Sequence, residues 1–234
     1  MHAFADLQDD LSDQQTKLRF TMPDAETSAA QFARLGVSND TRVILYSRGN
    51  LQWATRVWWM LRSIGFDNAA ILDGGWERWL ADELPTETST NQYPPAQLMA
   101  QPRAGLFCGK DEVLAAGKHN SATVINALSA ELHAGHSPRY GRAGRIPGSV
   151  NVPANDLRDA TKLTLIDASK ASAAFDAVNA TPDKPTIIYC GGGIAATLDA
   201  FILHQLGHDQ ISVYDNSLNE WATDPSVEME SDVT

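Results

Sequence analysis

The apolar positions of this chain gather into short continuous runs. Val43-Ile44-Leu45-Tyr46-Ser47 and Thr186-Ile187-Ile188-Tyr189-Cys190 each read as a strand buried on both faces. After each come a loop, a helix-period stretch, a second short strand, and a turn into another helix. The first such helix covers Ala54–Ser63, where Trp58 and Trp59 read as packing residues. Ser121–Asn126 is a further strand. Alternation of this kind predicts an α/β protein, with a mainly parallel sheet covered by helices on both faces.

The pattern occurs twice. Leu61–Trp79 aligns without a gap on Leu203–Trp221, pairing Gly65 with Gly207, Asp67 with Asp209, Asp73 with Asp215 and Trp79 with Trp221. So long a period points to duplicated domains rather than a solenoid. Extended backward, Ala154-Asn155-Asp156-Leu157 matches Phe4-Ala5-Asp6-Leu7. The first copy should therefore lack an opening strand and helix, roughly forty residues by alignment to the second. A downstream start, a trimming or a deletion would each account for that. The expected organisation is an incomplete amino-terminal domain over 1–85, a Thr-, Asn- and Pro-rich linker over 86–105, and a complete carboxy-terminal domain over 106–234.

Composition narrows the classes. A net charge of −11 argues against a nucleic-acid binder, no apolar run is long enough for a bilayer, and MHAFADLQDD lacks the features of a secretory signal. The expectation is a soluble, cytoplasmic protein. Its two cysteines, Cys108 and Cys190, make no disulfide framework and suit a reducing compartment. His133 and His136 share a helix-face spacing without a further ligand set, so neither metal nor cofactor is expected.

Chemistry concentrates at Cys190, where the second strand runs into Gly191-Gly192-Gly193-Ile194-Ala195 and then a helix. Three glycines let backbone N–H groups converge on one point, and the helix start adds a positive dipole end. Both favour a sulfur anion. The alternative is a buried structural thiol, which has no need of the glycines. The same position in the first copy is Ser47. In the loop SPRYGRAGRIPG, Arg139, Arg142 and Arg145 are conspicuous in an acidic chain, either as anion-binding groups or as a solvated loop. Cysteine phosphatases with a related loop carry an arginine six positions after the cysteine; here that residue is Ala196, which disfavours phosphate chemistry.

The duplication, the run RIPGSVNVP at Arg145–Pro153 and YCGGGIAAT at Tyr189–Thr197 together resemble the two-domain rhodanese family of thiosulfate and 3-mercaptopyruvate sulfurtransferases. The resemblance implies tandem rhodanese-like domains of which only the second is catalytic. It implies that Cys190 attacks the outer sulfur of a donor, carries it as a persulfide, and yields it to an acceptor such as cyanide or a thiol. Gly191, Gly192, Gly193, Ile194 and Ala195 would form the anion cradle, and Arg139 and Arg142 would bind the donor. Partners would be a small sulfur donor and acceptor. Small residues after the cysteine are closer to mercaptopyruvate-preferring members, whereas Ala195 replaces their usual Thr, Leu132 stands at a second arginine position, Arg145 replaces a common His and Asn126 an Asp. A degenerate module binding a persulfidated or anionic partner is the alternative, and a redox-sensing thiol would need Cys108 as its resolving partner. A shortened first domain would also expose an edge that a second chain could cover.

Overall fold

The computed structural model describes residues 3–89 and 91–233. It divides into two compact units, residues 1–104 with 161–164, and residues 105–160 with 165–234. No helix among the described residues is long and apolar enough to cross a membrane.

In the first unit, β1 (Val43–Leu45) pairs in parallel with β2 (Ala69–Ile71). Three helices accompany them: α1 (Ala25–Arg34), α2 (Gln52–Ser63) and α3 (Gly75–Ala81). The Asp24 carboxylate caps α1 by accepting from the Thr27 N–H, which satisfies one of the free donors at the helix start. Trp58 and Trp59 are core residues, and the Trp58 indole donates to the Ala69 carbonyl at 3.0 Å, tying α2 to β2. The stretch after α3 runs back along its own unit. Ala96, Gln101 and Arg103 donate backbone N–H groups to the carbonyls of Ala33, Ile64 and Ser63.

The second unit contains β3 (Phe107–Cys108), α4 (Lys110–His119), β4 (Thr123–Asn126), α5 (Ala130–Ala134) and β5 (Val150–Asn151). A 3-10 turn over Ala154–Leu157, β6 (Arg158–Asp159), β7 (Thr164–Leu165) and α6 (Ala168–Asp176) follow. The unit closes with β8 (Thr186–Tyr189), α7 (Ala196–Gln205), β9 (Ile211–Tyr214) and α8 (Ser217–Trp221). Five strands form one sheet in the order β3-β9-β8-β4-β5, all parallel. β4 and β8 are buried at every position, as central parallel strands are. β8 is the middle strand, so the loop at its carboxy end lies where parallel sheets collect their ligands.

The two copies differ beside their matching strands. β1 and β2 correspond to β8 and β9, while among the described residues no strand stands beside β1 as β4 stands beside β8. Ile44 is consequently 50% exposed, whereas Ile187 and Ile188 on β8 are buried.

Candidate active site

Cys190 follows the last residue of β8 and is 2% exposed. Its neighbours along the loop divide into two sets. The Cys190 and Gly193 N–H groups both donate to the Ser217 hydroxyl, at 3.0 and 3.2 Å, and that hydroxyl donates to the Tyr214 carbonyl at 2.7 Å. The N–H groups of Gly191, Gly192, Ile194 and Ala195 meet no protein acceptor among the described residues. Four donors therefore remain for an anion at the mouth of α7. Gly193, expected in the same cradle, instead directs its N–H to the side-chain anchor.

The first copy explains what is unusual about Ser217. Backbone bonds recur in both units: Trp76 N–H to the Ser47 carbonyl at 3.1 Å, and Leu218 N–H to the Cys190 carbonyl at 3.1 Å. The preceding residue has positive φ in each, 55° at Gly75 and 50° at Ser217. Glycine adopts this conformation freely, and a Cβ on Gly75 would lie 2.7 Å from the Ser47 carbonyl oxygen. Serine pays about 1 kcal/mol or more for it. The second copy thus accepts strain at the residue whose hydroxyl holds the cysteine loop. As sequence, Asp215-Asn216-Ser217 reads only as a turn.

A second residue the sequence did not single out is Tyr140. A Cβ on Gly191 would overlap the Tyr140 ring at Cε1, Cζ and the hydroxyl oxygen, so the first glycine after the cysteine is small because an aromatic ring lies on it. Burial pushes the Tyr140 phenol above its ordinary range; charge on Cys190 adds to the rise and Arg139 opposes it. The Arg139 guanidinium carbon stands 5.7 Å from the Tyr140 ring centroid, and its side chain is solvent-exposed. Cys190, Tyr140 and Arg139 are thereby brought into one neighbourhood.

Arg142 and Arg145 go elsewhere. Arg142 donates to four carbonyls, those of Ala222 (3.1 Å), Val227 (2.8 Å), Trp221 (3.0 Å) and Asp224 (2.6 Å). With its donors engaged on the backbone it is a scaffold group, a correction to its expected place at the donor. Arg145 is buried, pairs with Glu230 and with Asp232 at 2.7 Å, and donates to the His133 carbonyl at 3.2 Å. Burial and the Arg145 charge push the His133 imidazole down to about 4. The two arginines fasten the loop carrying Tyr140 to residues 221–232.

The rest of the RIPGS run buttresses β8. The buried Tyr189 hydroxyl accepts from the Ile146 N–H at 3.1 Å and shares a hydrogen bond with Ser149 at 2.8 Å. Asn126 closes the end of β4, its side-chain oxygen accepting from the Leu128 N–H at 2.9 Å. Cys108 ends β3 opposite Tyr214, across β9 from β8. Two strand spacings put it roughly 10 Å from the Cys190 strand, beyond disulfide reach. Burial, helped by Glu112 and Asp215, pushes its thiol up to about 12.

A buried cysteine after the middle parallel strand of the second copy, followed by loop N–H groups that meet no acceptor among the described residues, gives this duplicated α/β protein a layout suited to thiol-dependent group transfer. The model of the rhodanese-like domain matches residues 10–82 and 122–224, and the chain belongs to that family. It is 34% identical over 217 residues to the 3-mercaptopyruvate sulfurtransferase of Escherichia coli, covering 90% of this chain and 75% of that protein. A mitochondrial thiosulfate/3-mercaptopyruvate sulfurtransferase of Arabidopsis thaliana is 32% identical, covering 97% of this chain and 66% of the relative. Among solved structures, Escherichia coli SseA, a 3-mercaptopyruvate sulfurtransferase, superposes with a TM-score of 0.79 at 32% identity, over 92% of this chain and 80% of its own. The anaerobic ergothioneine biosynthesis enzyme of Chlorobium limicola shares the fold at 20% identity, with a TM-score of 0.84 over 96% of this chain and 58% of that one. The chain is a rhodanese-type sulfurtransferase.

Proposed function

We propose that the protein moves a sulfane sulfur from 3-mercaptopyruvate or thiosulfate to a nucleophilic acceptor such as cyanide or a thiol, through a persulfide on Cys190. The observation that supports this reading is the set of N–H groups at Gly191, Gly192, Ile194 and Ala195 that meet no acceptor among the described residues, in the loop directly after Cys190, where they would serve a thiolate and then a persulfide anion. The Cys190 sulfur attacks the donor sulfur, the bond from that sulfur to its parent breaks, and pyruvate or sulfite leaves. Arg139, exposed beside Tyr140, is the cation for the donor's carboxylate or sulfonate end. Catalysis belongs to residues 106–234, with 86–105 as connector. Residues 1–85 form a non-catalytic copy with Ser47 at the nucleophile position. A reducing cytoplasm suits the free thiol.

The test is incubation with each donor followed by intact mass measurement. One added sulfur on the wild-type protein and none on Cys190→Ser is the expected result. No added sulfur from either donor overturns the reading and favours a non-catalytic binding module.

A further inference from the structure

We propose that Tyr140 is the general acid of the mercaptopyruvate half-reaction, giving its phenolic proton to the carbon that sulfur leaves. The inference rests on the sulfur-transfer reading above and adds to it a residue which that reading does not require.

Three observations place the group. The ring lies on Gly191, the residue following the nucleophile, close enough that no side chain fits between them. Its hydroxyl makes no hydrogen bond to any described residue, so its proton is uncommitted. Burial and the neighbouring Cys190 keep the phenol protonated at neutral pH, as a donor must be. Arg139, on the adjoining residue, would draw the carboxylate of the donor toward the same ring.

The chemistry needs such a donor in one case only. When the Cys190 thiolate attacks the thiol sulfur of 3-mercaptopyruvate, an S–S bond forms and the C–S bond breaks, its electron pair passing to C3 as the enolate of pyruvate. Tyr140 gives C3 its proton, and the resulting phenolate takes the proton of the Cys190 S–SH group. The net change is thiolate plus mercaptopyruvate to persulfide anion plus pyruvate, with no outside oxidant or reductant. Thiosulfate releases sulfite, a stable anion that needs no proton, and discharge of the persulfide to an acceptor breaks no bond to carbon.

The closing experiment uses the full chain with Tyr140→Phe, which keeps the ring on Gly191 and removes the hydroxyl. Persulfide loading from 3-mercaptopyruvate and discharge of loaded enzyme to cyanide are timed separately. Loading is expected to slow by about 10²-fold, the low end for a general acid, while discharge stays within about twofold of wild type. Loading from thiosulfate, where it occurs, is likewise expected to be spared. Equal loss in both half-reactions, the mark of a disturbed loop, overturns the proposal, as does unchanged loading. Failure of the wild-type protein to load from any donor is a separate outcome that removes the underlying reading.

Discussion

Asp199 lies in the first turn of α7 at 0% exposure, and neither carboxyl oxygen meets a hydrogen-bond donor among the described residues. Burial raises its pKa well above the ordinary 3.8. With the folded value raised, the native state holds a proton that the unfolded chain releases above about pH 4. Stability from this group is therefore complete below that pH and is lost as pH rises toward the folded pKa, at about 1.4 kcal/mol per pH unit. Asp199→Asn removes the titration and keeps the shape. Its own buried amide costs about 1–3 kcal/mol if unpaired, but that cost does not vary with pH. Urea unfolding of both proteins from about pH 4.5 to about pH 7 should show the variant gaining on wild type by at least about 1.4 kcal/mol, because every other group titrates alike in the two. A difference that stays flat across this range would mean that Asp199 ionises like a hydrated carboxylate, and the argument from its burial would fail.

Other outcomes follow from the same geometry. Ser217→Ala removes the acceptor of the Cys190 N–H and one partner of the Gly193 N–H and should cost about 2 kcal/mol by denaturant midpoint; Ser217→Gly, which also relieves the positive φ, should cost less, and equal losses would remove strain from the account. Arg142→Ala removes the side-chain donor of four carbonyls, of which, among the described residues, only that of Trp221 keeps another, from the Asp224 N–H, and should destabilise by about 3 kcal/mol or more in thermal melts. Arg139→Ala should instead raise KM for an anionic donor by about tenfold with an unchanged melting temperature, as expected for one charge-assisted contact. The Gly148 N–H and Arg145 hold the Glu230 carboxyl below its ordinary range, and Arg145 does the same for Asp232. Their contribution is present at neutral pH and is lost as pH falls through those depressed values, so amide exchange over 139–148 should accelerate in acid before the rest of the unit.

Local pattern carries the parts of this protein that are local. Continuous apolar runs mark β1 and β8, and the glycines after Cys190 announce its loop, because strand formation and backbone permissiveness are written within a few residues. Tyr140 carries no such signal, for the opposite reason: it stands among the arginines of its loop, and only the fold brings it onto Gly191, 51 positions later in the chain. Arg142 reads as a free cation until its acceptors, the carbonyls of Trp221, Ala222, Asp224 and Val227, are known; backbone carbonyls have no signature in sequence. Ser217 has a partial signal, since the repeat sets it opposite Gly75, but φ is needed to see why the exchange matters.

The fastening of the Tyr140 loop to residues 221–232 also sets an order of events during synthesis. Cys190 and its glycines are translated before Trp221, Glu230 and Asp232, which lock the Tyr140 loop through Arg142 and Arg145. On the ribosome, the Tyr140 loop and the Cys190 loop are therefore both made before the residues that fasten the Tyr140 loop, and the site matures only when residues 221–232 have emerged and docked.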